Sequence, residues 1–282
     1  MPRGGRNNGG SNDLQRRRVA MSVDKLVLWS MLTLSFSTGV LDAATYLGLH
    51  GVFTANMTGN LIFVSLGITA QATVPVLRAL LALGGFAAGA AVAGRLLRSS
   101  AARPGGDRDI SLTILFVGLL LAACSLSLAL SMRREGILDT LTVALALAMG
   151  VQAMAARRVG VGDVTTVVVT STLAGLMGEN PATGRSADSS LTIRRTLAVT
   201  MMGFGAVTGA LLMLISVETA IAVSALLTLG VAGLLSIRGY VSSSHERSAR
   251  LWARRLSGPR RWRGSIEARR RFPSLERRES GE

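Results

Sequence analysis

The chain has 282 residues, 49% of them hydrophobic, and a net charge of +15. The apolar residues fall in long blocks while the charge sits in two tails and in short loops, a pattern of membrane topology that leaves no need for nucleic acid as a partner. One cysteine, Cys124, and two distant histidines, His50 and His245, exclude an intrachain disulfide framework and a Cys/His metal cluster, so neither a metal nor a cofactor is expected.

Residues 1–25 form a basic leader with Arg3, Arg6, Arg16, Arg17, Arg18 and Lys25. The apolar block after it, Leu26 to Leu49, is too long for a signal-peptide core and reads as a retained helix. Val74 to Leu97, Ile110 to Met132, Ile137 to Ala156 and Ile193 to Val217 also approach or exceed the roughly 20 residues that cross a hydrocarbon layer about 30 Å thick. Ala220 to Ile237 is slightly short but almost uncharged. Two further blocks, Val52 to Ile68 and Val164 to Met177, are shorter and polar at their starts. The first carries Phe53-Thr54-Ala55-Asn56-Met57-Thr58-Gly59-Asn60, and the second carries Thr165, Thr166, Thr170 and Thr172 close after Asp163. Lipid offers no partner to an unpaired N–H or C=O, so such segments persist only where protein or water receives them. Residues 239–282 form an arginine-rich tail in which Trp252/Leu256 and Trp262/Ile266 stand four apart, as in a basic helix lying on anionic lipid head groups; a plain topological anchor is the alternative.

Arginine placement discriminates between topologies. Eight full crossings divide the loop arginines about evenly, whereas six crossings plus two re-entrant segments leave about nine inside and about three outside. The second arrangement is the expectation, with both termini cytoplasmic and Arg78, Arg133 and Arg134 as exceptions. The expected fold is therefore an all-α polytopic transmembrane bundle, six full crossings plus two short broken or re-entrant segments.

An internal duplication is also expected, with repeats at 26–132 and 133–238. Gly39-Val40-Leu41-Asp42-Ala43 is echoed by Gly150-Val151-Gln152-Ala153, and a threonine-bearing polar segment follows each. Gly85/Gly89 and Gly205/Gly209 share the GxxxG spacing that lets helix backbones approach, whether inside one chain or in a homo-oligomer. An odd number of crossings per half makes the halves inverted, which brings two broken segments together from opposite faces.

Asp42 is a carboxylate inside an apolar span, a placement that costs a few kcal/mol and marks either a functional site or a structural lock. Asn56, Thr58, Gly59 and Asn60 can converge on a ligand if unwound, or can cap a half-helix. Gln152, Thr165 and Thr170 occupy the corresponding region of the second half, where bonding to its own backbone is the simpler role of any single threonine and their accumulation is what points to a polar cavity. Arg157 and Arg158 read as anchors at the cytoplasmic face. No nucleophile with a neighbouring base and no phosphate loop is visible, so an enzyme is not expected.

Gly39-x-x-Asp42-Ala43, Phe53-x-x-Asn56-x-Thr58-Gly59-Asn60, Gly150-x-Gln152 and Arg157-Arg158 resemble the YoaK-like family of bacterial inner-membrane proteins, a domain of unknown function, over Leu26 to Ile237. The resemblance implies a compact protein of about six spans and brings no substrate. The family pattern carries Asn where this chain has Ala153 and Gly where it has Ser171, which implies unlike half-sites. A permease for a small polar or ionic solute is the leading expectation. A membrane scaffold or sensor acting through the tail is the second.

Overall fold

A segment surrounded by lipid tails can satisfy its backbone only within itself, so each long apolar block is driven to form an α-helix. The computed structural model describes residues 9–69, 75–100, 106–130, 135–158 and 189–256. Their helices are α1 (Gly9–Gly48), α2 (Met57–Ile68), α3 (Val76–Ser100), α4 (Gly106–Leu130), α5 (Glu135–Arg158), α6 (Ser189–Leu212) and α7 (Val217–Leu256). Six contain stretches long and apolar enough to cross a membrane: Lys25–Gly48, Val76–Arg98, Arg108–Leu130, Gly136–Arg158, Ile193–Leu212 and Val217–Ile237. With 12 residues, α2 is about 18 Å long and falls short. The chain divides into two units, residues 1–239 with the bundle and residues 240–282, of which 240–256 are helical. Asp163, Thr165, Thr166, Thr170 and Thr172, with the whole block Val164 to Met177, lie outside the described residues.

The spans α1 and α5 are the most enclosed, with 61% and 56% of their apolar windows buried against 17% for α6. The most extensive contacts join α1 to α6 and α3 to α5. Both pairs meet backbone to backbone. A methyl group on Gly205 or Gly209 of α6 would run into the carbonyls of Phe36 and Val40 on α1, and one on Gly85 or Gly89 of α3 into those of Val143 and Leu147 on α5. These matches rise together along both chains, so each pair is parallel. By contrast α7 is antiparallel to α4, since Gly118 faces Leu229 while the Ser125 hydroxyl donates to the Glu218 carbonyl (2.9 Å). It is antiparallel to α1 as well: Gly48 lies against Val217, while the Ser37 and Ser224 hydroxyls each donate to the other's carbonyl (3.1 and 3.2 Å).

One apolar cluster joins Val27, Met31 and Ile114, near the start of the spans Lys25–Gly48 and Arg108–Leu130, to Leu97, Ala155, Val231 and Leu235, near the end of the spans Val76–Arg98, Gly136–Arg158 and Val217–Ile237. The helices α1, α4 and α6 therefore run one way through the bundle and α3, α5 and α7 the other. It follows that α1 ends on the face where α3 begins, and that α5 ends on the opposite face, where α6 begins. The segment carrying α2 accordingly leaves and returns on one side. Its two ends lie together, a methyl group on Gly51 standing 3.9 Å from Pro75 Cγ. An eight-crossing arrangement, in which this block traverses the membrane, does not fit that geometry.

Basic residues gather on the face where the first span starts: Lys25, Arg95, Arg98, Arg108, Arg157, Arg158, Arg194 and Arg195 all sit at or near span ends there. Arg158 donates through Nη2 to the Leu97 carbonyl, tying the ends of α3 and α5. On the other face Arg78 pairs with Asp139 at 2.7 Å, linking the first turns of the same two helices. Leu77, Leu112, Phe116, Leu126, Phe204 and Leu211 stand exposed around the bundle, as a lipid-facing surface requires.

Candidate functional site

The polar site is built where α1 stops. His50 and Gly51 adopt left-handed φ of 65° and 77°, and the Gly51 N–H closes the helix on the Tyr46 carbonyl (3.0 Å). The chain then folds back along α1. Asp42, six residues before the helix end and about 9 Å along its axis, accepts at Oδ1 from the N–H groups of Thr54 (3.0 Å) and Ala55 (2.7 Å) and from the Thr54 hydroxyl (3.4 Å). Extended backbone is thereby held below the end of the span with two of its donors satisfied by one carboxylate.

The rest of the motif closes on itself. Asn56 is the N-cap of α2, its side-chain oxygen accepting from the Gly59 N–H (3.3 Å). Asn60, fully buried, accepts from the Phe53 N–H (3.0 Å) and donates to the Phe53 carbonyl (2.6 Å). Phe53 stacks on Tyr46 with ring centroids 4.9 Å apart, and on Phe63 at 6.0 Å. Gly59 has no side chain because a Cβ there would come within 2.8 Å of the Phe53 ring. Thr58 is exposed and makes none of these contacts. Of the sequence-derived residues, then, Asp42, Asn56, Gly59 and Asn60 come together with Thr54, a residue whose part depended on the fold-back.

Gln152 reaches the site from α5. Its Nε2 donates to Thr38 Oγ1 at 3.1 Å. Thr38 and Asp42 stand four apart on α1 and so share one face, which places Gln152 on the side of α1 that carries the carboxylate. Asp42 and Gln152 are both buried, each with 5% exposure. Each nevertheless keeps one oxygen without a partner, Asp42 Oδ2 and Gln152 Oε1. Buried polar atoms are normally satisfied, so two orphans on facing helices mark a place built to receive something.

Residues 30–234 match the family described as "Protein of unknown function (DUF1275)". The chain belongs to that family. It is also similar to the UPF0700 transmembrane protein YoaK of Bacillus subtilis (strain 168), with 31% identity over 145 residues, covering 51% of this chain and 63% of the relative, just under two thirds of it. No solved structure matches the chain. The DUF1275 match runs from the first span to the last and so contains the whole site, and with the six apolar helices it establishes a multi-pass membrane protein of the YoaK-like family.

Proposed function

We propose that the protein is a permease of the cytoplasmic membrane for a small polar or ionic solute, with both ends of the bundle on the cytoplasmic side. The observation that carries the reading is a re-entrant segment held inside the bundle by Asp42, whose second oxygen is unused and buried. A buried carboxylate with an unused oxygen beside a broken segment is the setting in which transporters place solute sites. The orientation follows from the arginines, since the face that collects Arg95, Arg98, Arg157, Arg158, Arg194 and Arg195 is the cytoplasmic one under the positive-inside rule.

The helix register supports an inverted duplication. Gly39 of α1 lies against Met202 and Ala206 of α6, and Gly150 of α5 lies against Phe86 and Ala90 of α3. Phe36 meets Gly205 as Leu147 meets Gly89. In that register Asp42 answers to Ala153 and Leu41 to Gln152, so the two halves contribute unlike groups.

The test is flux. Proteoliposomes are challenged in turn with glycerol, neutral and charged amino acids, and alkali chlorides, and volume recovery is followed by light scattering. At least one solute should pass faster than through empty liposomes, and Asp42→Asn should slow it about tenfold or more, the scale of losing one charged contact. Equal rates with and without protein across the whole set reject the permease. A second reading, a scaffold or sensor working through residues 239–282, draws on the self-capping of Asn56 and Asn60. Removing that tail leaves permease flux intact and abolishes a tail-dependent activity.

A further inference from the structure

We propose that Asp42 Oδ2 and Gln152 Oε1 bind a monovalent cation between α1 and α5. This deepens the permease reading and rests on it for the ion's route to the site.

The assignment of the Gln152 amide comes from the bonds around it. The Thr38 hydroxyl donates to the Leu34 carbonyl (2.8 Å), so toward Gln152 it can only accept. Gln152 must therefore present its NH2 to Thr38, which turns its carbonyl oxygen away as the free group. On Asp42 the N–H groups of Thr54 and Ala55 and the Thr54 hydroxyl meet Oδ1, the Asn56 N–H also faces the carboxylate, and Oδ2 makes no hydrogen bond. The two orphans are thus acceptors, contributed by helices that touch through the Thr38–Gln152 bond, and neither makes a hydrogen bond among the described residues.

Acceptors alone suit a cation. One carboxylate and one amide carbonyl carry a single negative charge, and Asp42 has Thr54 and Ala55 rather than an arginine or lysine as its hydrogen-bond partners. The Arg78–Asp139 ion pair stands elsewhere, at the first turns of α3 and α5. A divalent ion takes several carboxylates, and among the described residues no three His, Cys, Asp or Glu side chains converge. A single charge matches a monovalent ion, whether an alkali ion or a protonated small amine.

The test uses the full chain in nanodiscs, with thermal unfolding measured as sodium, potassium or methylammonium chloride replaces choline chloride at constant ionic strength. Tm should rise with the logarithm of the cation, by roughly 5–10 °C at about a hundred times Kd. Asp42→Asn and Gln152→Met should each abolish the rise. Gln152→Met leaves the Asp42–Thr54–Ala55 bonds untouched, so its loss of response is not a folding defect. A response to alkali ions identifies a bare ion as occupant, and a response to methylammonium alone identifies an amine. Equal Tm in all four salts, or a rise that survives both substitutions, overturns the site, as does a Tm that follows pH and no cation. Cation-dependent stability without flux for any solute leaves the site standing and removes the permease; flux with no cation response does the reverse.

Discussion

A carboxylate inside a span must find donors, and Asp42 finds them in the chain that follows its own helix. Charge-assisted bonds of this kind contribute about 1.5–3 kcal/mol each, and buried N–H groups left without an acceptor cost a comparable amount. Asp42→Ala is therefore expected to destabilise the protein by about 3 kcal/mol or more, with protease cleavage appearing within residues 49–56. Asp42→Asn keeps an acceptor at Oδ1 and should cost less than half as much. Equal losses for the two would mean that the bonds to Thr54 and Ala55 do not hold the segment. Asn60 supports the same loop from α2 by bracketing Phe53 from both sides, one bond in and one out. Asn60→Leu preserves bulk but removes both bonds, and about 2–3 kcal/mol should disappear with them. A Tm unchanged by Asn60→Leu would show that the bracket carries no stability.

The spans were legible because hydropathy accumulates over some 20 residues and does not depend on which neighbour each helix meets. The break at 53–60 was legible for the same reason, since polar and glycine residues interrupt an apolar run. Its internal wiring was not, because Asp42 reaches Thr54 only after the left-handed pair His50–Gly51 turns the chain back. Thr38 was missed altogether, although its position one helical turn before Asp42 is a signal that sequence alone contains. Gln152 was singled out, but its partner stands 114 residues away and belongs to tertiary packing. The direction of α2's segment can be tested with Thr58, which is exposed at the first turn of that helix. In a Cys124→Ser background, Thr58→Cys should react with an impermeant thiol reagent from the face opposite Arg157 and Arg158. Labelling from the arginine-rich face instead would mean that the segment crosses.

GxxxG spacing announced that Gly85, Gly89, Gly205 and Gly209 face other helices, but not that each pair reaches across the midpoint of the chain to the other half. The bundle is held by two such crossings, α1 with α6 and α3 with α5, and the same small-residue contact serves both. Overpacking follows if either glycine at the centre of a crossing gains a methyl group, because the atom it meets is a backbone carbonyl that has no rotamer to move through. Gly89→Ala and Gly205→Ala should each lower stability by about 1–3 kcal/mol, whereas Gly203→Ala, with open space around it, should be neutral or slightly stabilising. The two crossings share no helix, Gly89 touching Leu147 and Gly205 touching Phe36. Substitutions at independent sites add to within about 0.3–0.5 kcal/mol, so the double variant should lose the sum of the single losses. Chemical denaturation in detergent micelles reads all four variants on one scale. Similar single losses that add are what two equivalent, separate crossings require. A double variant no worse than the weaker single would mean that disrupting one crossing already opens the other, and the picture of two independent helix pairs would have to give way to a single cooperative core.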